Sequence, residues 1–272
     1  MFRGAAAIGL LAGLALVPAQ LPSATLAAHD RYVAATEQRI ASEYAGQGPF
    51  LWLDRLPERE RARVQDRLRR GETVVERLQT RDAGREIQIP DGLVHHWIAT
   101  VVLPGASIER ASAFLRDYAR YPQSFAPLIT RAATTRREAD RDVVAMRTYV
   151  SKVVTVVMDG DYVIDHRHLS PTRLASKTVA TNLHVVHDPG LRTERREPAD
   201  QTSGNLWRYR MYCVLDARQD GLYNQCESIT LTRSVPSLVS WIVGPFVNGI
   251  PRDSLSLMLA ATRKHLSAAG EK

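Results

Sequence analysis

His166 and His168 stand two apart in a run that alternates like a strand, so both rings lie on one face. Asp159, Asp161 and Asp165 are close by in sequence. Two imidazoles and a carboxylate are a ligand set for Zn²⁺ or Fe²⁺. The spacing argues against that chemistry here. Asp165 points to the face opposite both histidines, and the sequence has no helix-borne H-E-x-x-H. His95 and His96 point to opposite faces of one strand, and His184 and His187 stand three apart near a strand end. The expectation is histidines that are solvated or hydrogen-bonded, with no metal and no cofactor.

Nucleophilic catalysis finds little support. The sequence has no G-x-S-x-G, no P-loop and no G-x-G-x-x-G, and neither cysteine is next to a histidine. A cyclase-type reaction needs little beyond a shaped pocket and a few acid or base groups, for which Tyr149, Glu227, His166 and Arg210 are the candidates. Glu227 and Arg210 fall on the outer face of a hairpin beside Arg208, where a surface ion-pair ladder is expected instead. No residue is assigned as catalytic.

That hairpin is the main positioning element. Trp207 to Leu215 alternates as a strand, Asp216 to Gly221 reads as a polar turn, and Leu222 to Arg233 reads as a second strand. Trp207, Tyr209, Met211, Cys213 and Leu215 share one face. With a four-residue loop at Arg218 to Gly221, Ala217 faces Leu222 and Cys213 faces Cys226. Opposed positions have Cα atoms ~4.5–5.5 Å apart, within disulfide range. A tighter turn at Asp220-Gly221 shifts the register and separates the cysteines, leaving two small reduced residues. In the paired register, Tyr209 and Met211 face Thr230 and Ser228. Large residues facing small hydroxylated ones leave room for a ligand whose polar end meets the hydroxyls.

A long helical stretch follows from Pro236 to Leu266. Leu238 to Val247 is apolar almost all round, with a kink expected at Pro245. Pro251 suits the first turn of a cleaner helix carrying Leu255, Met258, Leu259, Thr262 and Leu266 on one face. Trp241 and Phe246 are expected to wall or gate a pocket, or else to be buried under N-terminal helices. The expected pocket lining is therefore Trp207, Tyr209, Met211, Ser228, Thr230, Trp241, Phe246, Leu255, Met258 and Leu259.

Further strands are expected at Leu93–Leu103, Ile129–Arg137, Val143–Val157, Tyr162–Leu169 and Leu174–Val186. Turns are expected at Asp159-Gly160-Asp161 and Ser170-Pro171, and a polar loop at Asp188 to Gly204. Ser107 caps a short helix with Ile108, Ala111, Phe114, Leu115 and Tyr118 on its apolar side. Upstream, residues 28–92 read as a charged helical extension. One helix spans Tyr32 to Tyr44, and another opens at Pro57 and carries Val64, Leu68, Val74, Val75 and Leu78. Phe50 to Leu53 docks the extension on the rest.

The element order resembles the START-like, or SRPBCC, superfamily (Bet v 1-like, helix-grip). So do the run Ser151-Lys152-Val153 leading to Met158-Asp159-Gly160-Asp161-Tyr162-Val163, the Trp207 strand, and Ser234-Val235-Pro236-Ser237 leading into the helix. The resemblance covers about Leu93 to Leu266. It implies an α+β fold, a curved antiparallel sheet of about seven strands wrapped around a long C-terminal helix with a hydrophobic pocket between. Members bind lipids, sterols, polyketides or other apolar molecules, and some are cyclases or hydrolases, so fold alone does not fix function.

Composition narrows the rest. At 44% hydrophobic and 24% charged residues the chain has enough apolar material for a core and is not a disordered protein. Residues 1–27 read as a secretory signal: Arg3, then an uncharged apolar run from Gly4 to Val17, with cleavage after Ala19 or Ala27. A periplasmic or secreted location follows. Residues 93–272 carry 23 basic and 17 acidic side chains. In an exported protein that excess fits transient contact with an anionic membrane surface, and equally a solvated basic surface with no partner; no nucleic-acid motif is present. The leading expectation is an exported, non-catalytic protein that binds or transfers a lipid or other hydrophobic small molecule. The alternatives are a cyclase- or hydrolase-type enzyme using the same pocket, and an envelope scaffold with a filled core.

Overall fold

A computed structural model describes residues 22–151, 155–197, 206–233 and 237–268, excluding the side chains of 237–248 and 268. Helix α1 (Ser23–Tyr44) leads, followed by a 3-10 turn (Trp52–Arg55) and α2 (Glu58–Arg69). Acidic Glu58 and Glu60 open α2 and basic Arg67 and Arg69 close it, matching its macrodipole. The expected continuation of this helix to Leu78 is not formed. Gly71 adopts φ +86 just past the helix end. Val74 and Val75 instead belong to a four-residue strand, β1 (Val74–Arg77). A small hairpin, β2 (Arg81–Asp82) and β3 (Arg85–Glu86), follows.

The main sheet is then built from β4 (Gly92–Leu103), β5 (Ile129–Arg137), β6 (Arg141–Ser151), β7 (Thr155–Ser170), β8 (Arg173–His187), β10 (Leu206–Arg218) and β11 (Gly221–Arg233). These seven pair antiparallel in the order β4-β11-β10-β8-β7-β6-β5. Two strands add to them: β1 along the free edge of β4, and the short β9 (Arg195–Arg196) against β8. Between β4 and β5 come α3 (Ile108–Leu115), capped as expected by Ser107 accepting from the Arg110 N–H, a 3-10 turn (Tyr118–Arg120) and α4 (Tyr121–Ser124). Helix α5 (Ser237–Ala268) closes the chain as one helix running through both Pro245 and Pro251.

One expected turn is misplaced. Ser151 pairs with Thr155, so the chain reverses between β6 and β7 there, and Asp159-Gly160-Asp161 lies inside β7. Glycine at 160 serves a side chain rather than a turn: a Cβ there would stand 2.6 Å from the Tyr162 ring. The last hairpin holds the paired register through a tighter loop than expected. Arg218 faces Gly221, Met211 faces Ser228, and Cys213 faces Cys226. The cysteines are disulfide-bonded with Cα atoms 4.1 Å apart. Replacing both by serine is expected to lower stability by about 2–3 kcal/mol, since the bond closes a short loop in the unfolded chain. Urea unfolding of the two proteins checks this, and coincident transitions would discount the bond.

The sheet is covered on both faces. Inside, α5 packs through Leu255, Leu259 and Leu266 on Ala99, Val101, Leu103, Leu174 and Leu215. Outside, Phe50, Leu51 and Leu53 join Val64, Leu68 and Val74 against Val102, Ala175, Val214 and Tyr223. Tyr32, Val33 and Ile40 of α1 lie on Tyr212 and Ile229. The expected surface ladder of Arg208, Arg210 and Glu227 is therefore not formed, because α1 covers this face. Glu227 is buried and binds His96 at 2.6 Å and Arg39 of α1. Arg210 instead faces Glu37 of α1, at 3.6 Å, and Glu37 also accepts from the Tyr212 hydroxyl.

Candidate ligand cavity

Between the inner sheet face and α5 is a cavity of about 290 Å³. Its walls are mostly apolar: Met146 and Val150 of β6, Met158, Tyr162 and Ile164 of β7, Leu174 of β8, and Ile250, Leu255, Met258 and Leu259 of α5. Strand alternation puts every second residue of each strand inside. Of the residues expected to line a pocket, Tyr209, Met211, Ser228, Thr230, Leu255, Met258 and Leu259 are on this wall. The Cys213–Cys226 bond is on it too.

Trp207 is not on the wall. The register of β10 shifts between Leu206 and Arg208, which turns Leu206 into the cavity and puts the Trp207 ring elsewhere, with the Arg233 guanidinium 5.8 Å from its centroid. A bulge of this kind leaves no mark on an alternating pattern. Trp241 and Phe246 belong to the stretch of α5 whose side chains lie outside the described residues. Tyr149 is on the face of β6 opposite Met146, Thr148 and Val150, and does not line the cavity.

One end of the cavity is strongly polar. Asp142 is fully buried at the start of β6. Its carboxylate accepts two bonds from Arg116 at 2.9 and 3.0 Å, one from Arg137 at 3.1 Å and one from the Tyr118 hydroxyl at 3.0 Å. His166 Nε2 is 3.0 Å from the same group. Burial pushes the Asp142 carboxyl up, but Arg116, Tyr118 and His166 together outweigh it and hold it at about 2. An ionised carboxylate only accepts, so Nε2 carries the His166 proton and Nδ1 is the basic atom of the ring. Burial, and then the Arg116 charge, lower the His166 pKa despite Asp142. The cavity wall thus holds a neutral imidazole oriented by a carboxylate. Arg116 and Tyr118 also line a more open depression with Thr134 and Arg137, so this cluster is the partition between the cavity and that depression.

Away from this cluster the inner sheet face is polar without charge. Ser176 and Thr178 of β8 and Ser228, Thr230 and Thr232 of β11 face the cavity. Thr232 is hydrogen-bonded to His95 Nε2 at 2.8 Å. Burial, with a smaller contribution from Arg77, pulls the His95 pKa down to about 4. His29 of α1 is fully buried, and neither ring nitrogen has a hydrogen-bond partner among the described residues, although Nδ1 stands 3.7 Å from the Asp30 carboxylate. Burial lowers the His29 pKa to about 4 as well, against an opposing pull from Asp30. In both cases the unfolded chain binds the proton more readily than the folded one. Stability is complete above pH 6.5 and falls as the pH drops from 6.5 towards 4, by roughly 3 kcal/mol for each ring. His29→Phe is expected to remove about half of that loss. Denaturant midpoints at pH 7 and pH 4.5 check it, and an unchanged acid loss in the variant would clear His29.

His168 is exposed, Asp165 pairs with Arg141, and among the described residues no group of three or more His, Cys, Asp or Glu side chains is placed to hold a metal. No described helix is long and apolar enough to cross a membrane.

No protein-family model matches the sequence, and no curated protein matches it. Among solved structures, a STAR-related lipid transfer protein fragment from Xanthomonas axonopodis is similar, at 16% identity and a TM-score of 0.46. That match covers 70% of this chain and 98% of the other. A START superfamily protein from Mycobacterium smegmatis is similar at 11% identity and a TM-score of 0.39, with 65% and 98% covered. The Zhui aromatase/cyclase from a Streptomyces species is similar at 10% identity and a TM-score of 0.40, with 66% and 97% covered. The chain's own seven-strand order, with α5 lying across the inner face, is the helix-grip arrangement, and its fold is START-like.

Proposed function

We propose that this protein binds or transfers a lipid or other hydrophobic small molecule in the cavity between sheet and α5. One observation carries the reading: a cavity with predominantly apolar walls and a few convergent polar groups lies where a filled core would otherwise be. Tyr209, Met211, Ser228, Thr230, Leu255, Met258 and Leu259 are the proposed contacts. Native mass spectrometry of protein purified without detergent tests this. The expected result is a discrete added mass that extracts into organic solvent. A bare chain mass that stays bare after incubation with a total lipid extract would overturn the reading.

A second reading is favoured by the Asp142–His166 pair. A neutral imidazole fixed by a carboxylate in an apolar wall is equipped to take a proton from a bound substrate or from water. On this reading the wild type hydrolyses p-nitrophenyl butyrate, and His166→Gln keeps the bound mass while losing turnover. Equal rates for the two proteins would set the enzyme aside.

We also place the protein outside the cytoplasm. The disulfide supports this, since such bonds persist in oxidising compartments. So does the apolar run from Gly4 to Val17. Of the two cleavage positions, the one after Ala19 is the better supported. Cutting after Ala27 would remove Thr25, which is fully buried in α1 and donates its hydroxyl to the Pro90 carbonyl at 2.7 Å. The basic excess of residues 93–272 supports transient contact with anionic lipid headgroups.

A further inference from the structure

Strand β11 is hydrogen-bonded on both sides, to β10 and to β4. Its backbone carbonyls are committed to those ladders, so hydroxyls on its inner face have little local choice of partner. Thr232 solves this through His95. Ser228 and Thr230 do not. They are 3% and 4% exposed, both face the cavity, and Ser228 Oγ and Thr230 Oγ1 have no hydrogen-bond partner among the described residues. Trp97, the neighbour of Ser228 across the β4 ladder, has a buried indole Nε1 that is equally unpartnered. A buried hydroxyl without a partner costs ~1–3 kcal/mol, and alanine or valine would be free of that cost. Two adjacent inward positions carrying the deficit point to something that relieves it.

The surroundings define the chemistry. The cross-strand neighbours of Ser228 and Thr230 are Met211 and Tyr209 on β10 and Trp97 and His95 on β4. No arginine or lysine is among them. The charged groups of the cavity, Arg116 with Asp142, are at the β6 side, four strands away from β11 in the sheet order. A carboxylate or phosphate placed against Ser228 would be desolvated without a countercharge. A hydroxyl or carbonyl would be bonded without that cost.

We propose that Ser228 and Thr230 form a polar subsite that takes an uncharged oxygen-bearing group, a hydroxyl or a carbonyl, on an otherwise apolar ligand. The subsite rests on the reading of the cavity as a ligand site. It fixes which end of the ligand lies at β11 and excludes acids bound by their carboxylate there.

Three naphthyl probes test it, on protein whose native mass has no adduct: naphthalene, 2-naphthol and 2-naphthoate, followed by ring fluorescence. 2-Naphthol is expected to bind about tenfold more tightly than naphthalene, the difference one hydrogen bond makes. In Ser228→Ala/Thr230→Val the advantage of 2-naphthol over naphthalene should vanish. The ligand-free double variant should melt at or above the wild-type temperature, because it loses only unpartnered hydroxyls. Three results overturn the subsite: equal binding of naphthol and naphthalene to the wild type, a naphthol advantage that survives the double variant, or 2-naphthoate as the best of the three. If none of the three binds, the cavity reading itself fails and the subsite with it.

Discussion

Replacing Asp142 by alanine is expected to cost roughly 3–4 kcal/mol of stability, since it leaves the Tyr118 hydroxyl and the His166 N–H unpaired inside the protein at ~1–3 kcal/mol each. Asp142 is the common acceptor of four side chains that come from three parts of the chain. Arg116 ends α3, Tyr118 opens the turn behind it, Arg137 ends β5, and His166 is on β7. Arg116 and Arg137 reach solvent and can be hydrated after the change, whereas Tyr118 is only 1% exposed and cannot. The partition between the cavity and the more open depression should also loosen. Urea unfolding at pH 7 measures the first effect, and hydrogen exchange across 108–121 measures the second. Asp142→Asn, which keeps an acceptor, should fall between the two. A loss under ~1 kcal/mol for the alanine variant would mean that the cluster is solvated and contributes little.

Glu227→Ala is expected to loosen α1 from the sheet, at a cost of about 3–5 kcal/mol for breaking a buried, charge-assisted network. A chain of donors runs from the Thr80 N–H to the Tyr32 hydroxyl, on to His96 Nδ1, and from His96 Nε2–H to Glu227. Arg39 reaches the same carboxylate from α1 and is tied on to Glu43, which also binds Arg55. Burial pushes the Glu227 carboxyl up, but His96 and Arg39 outweigh it and keep it ionised. Removing it leaves a 2%-exposed His96 without its acceptor and Arg39 without its buried anion. The signature is local: amides of residues 23–44 should exchange faster while those of β7 and β8 keep their protection. Uniform acceleration would mean that Glu227 supports the whole fold instead of the helix, and no change would mean that the apolar contacts of Tyr32, Val33 and Ile40 hold α1 unaided.

These two clusters mark the limit of what the sequence makes legible. The hairpin register, the opposed cysteines and four of the cavity residues, Tyr209, Met211, Ser228 and Thr230, follow from strand alternation, because a period of two leaves one choice of face once the turn is placed; Leu255, Met258 and Leu259 follow from the helical period of α5. Glu227 and Arg210 read as surface residues because alternation assigns a face but not what covers it. Only the docking of α1 makes that face an interior. The Asp142–His166 pair is invisible for a related reason: it joins neighbouring strands 24 residues apart through a turn that was expected at Asp159-Gly160-Asp161 and forms further upstream. Gly160 looked like a turn residue and is a strand residue making room for a tyrosine ring. Val74 and Val75 had the spacing of helix residues and became a strand because Gly71 ends the helix first and the edge of β4 is there to pair with.

The pairing of β1 with β4 has a practical consequence. Residues 28–92 read as a charged extension in composition, and a fragment starting at Leu93 looks like a natural way to isolate the part that holds the cavity. Such a fragment would present the bare β4 edge, from Trp97 to Thr100, to any other strand in solution, together with an uncovered apolar face around Val102, Ile229 and Tyr223. It is expected to self-associate during expression. Truncation would then report on aggregation rather than on what the N-terminal segment does, and that segment is better probed by point changes at its contacts.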